Sequence, residues 1–256
     1  MFSKAPVIWI VTAAIWGTAC MTIWCEVFGN DVFVVRTESQ FDKAWTAFEA
    51  DTNSTTAACE VGRTSSALAT LATNDTQRAA VAKRGISVCR HLLSLETNSV
   101  PGHYYLAINL GQLAKAEAPS LSSYRLVHEV EQEFLTTARL DPEYDFAGPA
   151  RALGQLYFQA PGWPLSIGSK SKSREWLERA AAIAPGYPGN QLNLVEAELK
   201  WRQREAVEAT LKKMDAIWPA AKTNFVGEAW QESWLDWDTR RDAVKADYQR
   251  VYGTRP

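Results

Sequence analysis

Pro185 and Pro219 stand 34 residues apart, and each ends the same kind of segment. Glu175-Trp-Leu-Glu-Arg-Ala-Ala-Ala-Ile-Ala-Pro185 reads as a helix running into a proline stop, and Ala209-Thr-Leu-Lys-Lys-Met-Asp-Ala-Ile-Trp-Pro219 reads the same way. A recurrence of this length is the period of a helical hairpin. One hairpin cannot hide its apolar face alone. Hairpins therefore stack and share a continuous core. An all-α architecture of stacked antiparallel helix pairs follows.

The helix pattern supports this along most of the chain. Ser39 to Phe48 opens a helix that Ser39 can cap, with Phe41, Trp45 and Phe48 on one face. Val32 to Arg36 looks β-like but is too short to make a sheet, so residues 26–37 read as a linker and residues 38–256 as one helical domain. Further helices are expected over 56–72, 78–95, 101–111, 122–140, 147–160, 171–184, 190–202 and 205–217. The clearest repeats cover 77–220. The closing positions Thr97, Pro142, Pro185 and Pro219 are spaced by 45, 43 and 34, so the earlier units carry insertions. Gly227 to Tyr252 forms a last helix. Its Trp230, Trp234 and Trp237 make an apolar stripe that would cap the end of the stack.

The N-terminus reads as a targeting or anchoring segment. Lys4 precedes a run, Ala5 to Cys25, without a charged residue. Three readings stay open. Gly17-Thr-Ala-Cys20 resembles a lipoprotein box, with Cys20 lipidated. The run is also long enough for an uncleaved membrane helix, and ordinary signal cleavage is the third. Each places the helical domain at the extracytoplasmic side of a cell envelope. Cys59 and Cys89 lie on adjacent helices and could pair there, although an inward Cys89 also suits a buried thiol.

Composition excludes more than it selects. A net charge of −2 with scattered basic residues argues against nucleic-acid binding. His91, His103 and His128 lack neighbours at ligand spacing, so no metal or cofactor is implied. No nucleophile elbow, phosphate loop or HExxH is present, and the chain is read as non-enzymatic. Asp141, Glu143 and Asp145 are interrupted by Pro142 and read as a turn rather than a calcium loop.

The endings Leu140-Asp-Pro-Glu-Tyr144 and Ile183-Ala-Pro-Gly-Tyr187 resemble tetratricopeptide repeats. Pro164-Leu-Ser-Ile-Gly-Ser169, with the helix that follows it to Ala180, resembles the T component of tripartite (TRAP-type) periplasmic solute transporters. Ile167-Gly168 matches that family's loop, and Ser169 stands where a second glycine is usual. Ser173, Leu177 and Ala180 fill the slots usually held by Ala, Phe and Ala. That resemblance implies a helical lipoprotein serving a transporter.

The loop 161–169 is the one long irregular segment inside the array, and such loops often carry function. Trp163 between Pro161 and Pro164 either plugs a gap between helix pairs, forms a binding rim with Tyr157 and Phe158 behind it, or mediates homo-oligomer contact. Tyr104 and Asn109 could line a groove with it. Tyr104 and Tyr105 are not expected to face the same side of their helix. The expected partner is a protein or peptide. The alternative is a small apolar ligand in a helix-lined pocket, handed on to a transporter.

Overall fold

The computed structural model describes residues 29–253. They form ten α-helices: α1 (Gly29–Ala50), α2 (Thr55–Leu71), α3 (Asp75–Leu95), α4 (Val100–Ala116), α5 (Leu121–Leu140), α6 (Tyr144–Gln159), α7 (Lys170–Ile183), α8 (Pro188–Lys200), α9 (Arg204–Asn224) and α10 (Gln231–Tyr252). A short 3-10 turn, Glu228–Trp230, precedes α10. Consecutive helices pack as antiparallel pairs. The even-numbered helices form the inner layer of the stack, and the odd-numbered helices form the outer layer.

Helix starts follow the local chemistry. The side chains of Ser54 and Asn74 accept hydrogen bonds from the backbone N–H of Ala57 and Gln77, satisfying donors that the first turn leaves free. Ser120 and Ser123 cap α5 reciprocally. Pro101 and Pro188 occupy first-turn positions of α4 and α8, where a missing N–H costs nothing. Small residues allow close approach between layers. A Cβ on Gly154 would lie 2.6 Å from the Leu177 side chain, and Ala107 is fully buried in the largest core cluster, as expected for a close hairpin contact.

Two expectations are corrected. Val32 to Arg36 is neither strand-like nor linker but lies inside α1. The helix extends back because Thr37, Phe41 and Ala44 are all buried and hold it against its neighbours. Ser39 is consequently an exposed mid-helix residue rather than a cap. Pro219 does not end a helix: α9 runs through it to Asn224. Trp218 and Ala221 are buried on either side, and that packing outweighs an interior-proline penalty of about 3 kcal/mol.

The repeat length changes with the second correction. Inner helices begin at 55, 100, 144, 188 and 231, which places them 43–45 residues apart throughout. The 34-residue interval survives only between the starts of α7 and α9, at 170 and 204. The apparent drift in spacing came from treating Pro219 as a closing position.

The last helix covers the end of the stack as the tryptophan stripe implied. Trp237 is buried with Leu192, Met214, Trp218 and Phe225, and Trp230 and Trp234 pack around them. The indole of Trp234 donates to the Phe225 carbonyl at 2.6 Å. Cys59 and Cys89 are both free thiols. No helix among the described residues is long and apolar enough to cross a membrane. The segment Ala5 to Cys25, and Cys20 within it, lies outside the described residues.

Candidate binding groove

The inner layer encloses a groove of about 450 Å³. Its walls come from α2, α4, α6, α8 and α10. α4 and α6 barely touch, so Val127, Val130 and Phe134 of α5 reach the floor between them. Tyr104 and Tyr105 both line the groove, with ring centroids 5.4 Å apart. The expectation that only one could do so fails because the gap beside α4 opens a face wider than the angle between consecutive side chains.

The groove's polar wall is organised around an unusual backbone. Asp145, Phe146 and Ala147 have φ of 50°, 54° and 62°, a left-handed turn built from three non-glycine residues at the start of α6. Each such residue costs on the order of 1–2 kcal/mol, and strain of this kind concentrates at functional sites. Side chains pin the turn. Arg151 donates to the Asp145 carboxylate at 2.6 Å and to the Asp145 and Phe146 carbonyls. Asn190 Nδ2 donates to the Phe146 carbonyl at 3.0 Å, and Asn190 Oδ1 accepts from Arg151. The phenol of Tyr104 donates to Asp145 Oδ2 at 2.6 Å.

Electrostatics follow from this packing. Burial alone would lower the Arg151 pKa, but the neighbouring Tyr187 and Asp145 hold it above the ordinary guanidinium value. Its guanidinium lies 4.9 Å from the Tyr187 ring centroid, a favourable cation–π arrangement. Burial pushes the Tyr104 hydroxyl well above its usual range, helped by Asp145. At the far end of the groove, Arg240 makes a two-pronged bond to Glu196 and further bonds to Asn193 and Asp236. Asp236 and Glu232 titrate above the ordinary carboxylate range, mainly through burial. Glu232 has no ion pair among the described residues.

The sequence candidates fall in different places. Tyr104 is in the groove. Asn109 is fully buried behind it and ties α4 to α2 by donating to the Gly62 carbonyl at 2.9 Å. Tyr157 is also buried and donates to Glu131 of α5. Phe158 packs edge-on against Trp201 at 5.8 Å. Trp163 is 90% exposed, so it plugs no gap between helix pairs, and Tyr157 does not stand behind it as an accessible rim. Arg151, Asp236 and Arg240 were not singled out from the sequence as groove residues, and Asp145 was read only as part of a turn. Arg151 stands as a lone cation within Gly148-Pro-Ala-Arg-Ala-Leu-Gly154, and a charge among small inward residues was the available signal.

No family model and no curated protein matches this chain. Among solved structures, it resembles a thermophilic tetratricopeptide-repeat protein of Thermus thermophilus, with a TM-score of 0.61 and 14% sequence identity. The likeness covers 83% of this chain and 92% of that one. Two sequences this different with most of their lengths superposed share an architecture: the chain has the tetratricopeptide-like α-solenoid fold.

Proposed function

We propose that this protein is a non-enzymatic scaffold, attached to a membrane through its N-terminus in the cell envelope, that holds a segment of a partner protein in its inner groove. The observation that carries the reading is the lining of that groove. Aromatic rings of Tyr104, Tyr105 and Trp237 line it together with the ionisable side chains of Asp145, Arg151, Asp236 and Arg240. An extended peptide offers both apolar side chains and backbone polar groups, and such a surface serves both. A transporter accessory role with a small apolar ligand is the second reading. The groove volume lies within the range of small-molecule sites, and Ile108, Val127, Val130, Phe134 and Leu156 give it apolar surface, but the charged residues beside them suit a peptide's polar backbone better.

The test is a peptide-display selection on the purified chain, with two variants. Ala152→Arg would place a guanidinium in the groove. Ser87→Arg adds the same charge on the outer layer. Enriched peptides should bind wild type and Ser87→Arg alike and lose Ala152→Arg. Equal binding to all three would remove the groove as the site. An apolar dye that binds wild type and is not displaced by any enriched peptide would favour the ligand reading. Mass measurement of the mature chain, alone and with Cys20→Ser, separates lipidation from an uncleaved anchor.

A further inference from the structure

A second surface lies at one end of the stack, outside the groove. The turn joining α6 to α7 is stiffened by its own backbone. Gly168 N–H donates to the Pro161 carbonyl at 2.9 Å, and Leu165 N–H to the Gly162 carbonyl at 3.1 Å. Ser169 N–H donates to the Tyr157 carbonyl at 2.9 Å. A Cβ on Gly168 would lie 1.9 Å from the Ala160 carbonyl oxygen, so only glycine closes the turn this tightly. The result is a fixed projection that presents Trp163 at 90% and Leu165 at 62% exposure. Holding an indole in water with ordered backbone behind it does nothing for the core.

The surroundings are basic. Residues 161–174 carry Lys170, Lys172 and Arg174 and no carboxylate; residues 199–204, in the neighbouring turn, carry Lys200, Arg202 and Arg204 and no carboxylate. The two turns touch. Lys170 lies 5.5 Å and Arg174 5.6 Å from the Trp201 ring centroid. Lys172 is paired with Glu131 and Arg204 with Glu208, while Lys170, Lys200 and Arg202 form no ion pair among the described residues. Cations in the first turn of α7 oppose its dipole, so helix stability does not account for them. In a chain of net charge −2, this edge is a local concentration of positive charge.

Antiparallel packing puts the α2–α3, α4–α5, α6–α7 and α8–α9 turns at one end of their helices. Leu121, at the α4–α5 turn of that end, is 79% exposed.

We propose that this end of the solenoid docks on an anionic lipid bilayer, with Trp163 and Leu165 entering the interface and Lys170, Lys200 and Arg202 meeting lipid phosphates. Tryptophan favours the headgroup boundary because its ring is apolar and its N–H is polar. Each basic residue near an anionic surface strengthens binding by about fivefold. Docking would fix the tilt of the stack, so the N-terminal segment would not act as a free tether. The proposal shares membrane attachment with the proposed function and stands without groove binding.

The test uses the full chain reconstituted in phosphatidylcholine vesicles with and without phosphatidylglycerol, both carrying brominated acyl chains. Trp163→Phe, a conservative change at an exposed site, isolates the Trp163 signal by difference from the other tryptophans. Trp163 fluorescence should be quenched in the anionic vesicles and much less in the neutral ones. Lys170→Glu and Lys200→Glu should each lower the quenched fraction, by at least about fivefold in the docked-to-undocked ratio. An unquenched Trp163 on a vesicle-bound chain would overturn the proposal, as would equal quenching on neutral lipid. Burial of Trp163 in a dimer that Trp163→Phe leaves intact and lipid does not alter would also overturn it. Loss of peptide binding by Ala152→Arg with the quenching unchanged would leave this proposal standing and concern the groove alone.

Discussion

Arg36 of α1 reaches Glu228, just before α10, at 2.9 Å. Two residues from opposite ends of the chain meet, so the stack curls until its first helix approaches its last. Glu228 is largely exposed, and a pair of this kind is worth about 0.5 kcal/mol. Arg36→Ala should therefore leave the urea midpoint almost unchanged. Hydrogen exchange in the first turns of α1 should rise, and added salt should produce the same rise in the wild type. A large loss of stability would mean that the ends are held more firmly than the ion pair explains.

Asp145 supports more than its own turn. Its carboxylate receives both Tyr104 and Arg151. Asp145→Ala would strip a largely buried guanidinium of its counter-charge and leave a phenol without a partner. A loss of about 2–3 kcal/mol in urea unfolding is expected, in the range of hydrogen bonds to charged groups. Gly148→Ala should act through the same contact. A Cβ there would lie 2.5 Å from the Tyr104 hydroxyl and 2.8 Å from Asp145 Oδ2, so that bond must break or the helix must shift.

The left-handed turn makes a prediction that ordinary helix propensity would reverse. Glycine usually costs about 1 kcal/mol against alanine in a helix. At Ala147, with φ 62°, glycine relieves the strain, and the buried methyl it loses is worth about 0.8 kcal/mol. Ala147→Gly should thus be close to neutral. Ala150→Gly, also buried but in the right-handed part of α6, should cost at least about 1 kcal/mol. Parallel urea titrations of the two variants compare them directly.

The architecture was readable because its signals are local. Apolar stripes and proline at helix starts each act within a few residues, and most helices fall close to where those signs place them, whereas the one cap read from the sequence, Ser39, lies inside α1. Pro219 misled for the same reason: its effect on α9 is decided by Trp218 and Ala221 packing against other helices, which no local pattern carries. The groove was the least legible part. Asp145 was correctly placed at a turn, but the turn's handedness depends on Arg151, Asn190 and Tyr104, which come from three helices. Trp163 stood out from its flanking prolines, whereas its exposure follows from how the whole 161–169 segment folds back on Tyr157.

Pro219 itself gives a direct measure of that tertiary override. It is exposed within α9, and its missing N–H leaves the Asp215 carbonyl without its helical donor. Pro219→Ala restores that bond while loosening the unfolded chain, which takes back part of the gain. A net stabilisation of about 1–2 kcal/mol is expected, with unchanged helical content by circular dichroism. A destabilised variant would show that the proline shapes α9 to fit Trp218 against α10.

Glu232 sets the acid-side behaviour. Burial, then the nearby Asp236 charge, raises its pKa in the fold, while Arg36 pulls it down. Asp236 is raised by burial first, against the pull of Arg240. A carboxyl whose folded pKa exceeds its unfolded value takes up a proton more readily when folded. Its ionised form therefore opposes folding, and stability rises as pH falls from neutral through the folded pKa, levelling off below the unfolded one. Glu232→Gln should raise the urea midpoint at neutral pH and flatten that part of the profile just above the ordinary carboxylate range. If Glu232→Gln instead lowers stability at neutral pH, the carboxylate has a cationic partner in the groove that outweighs its burial.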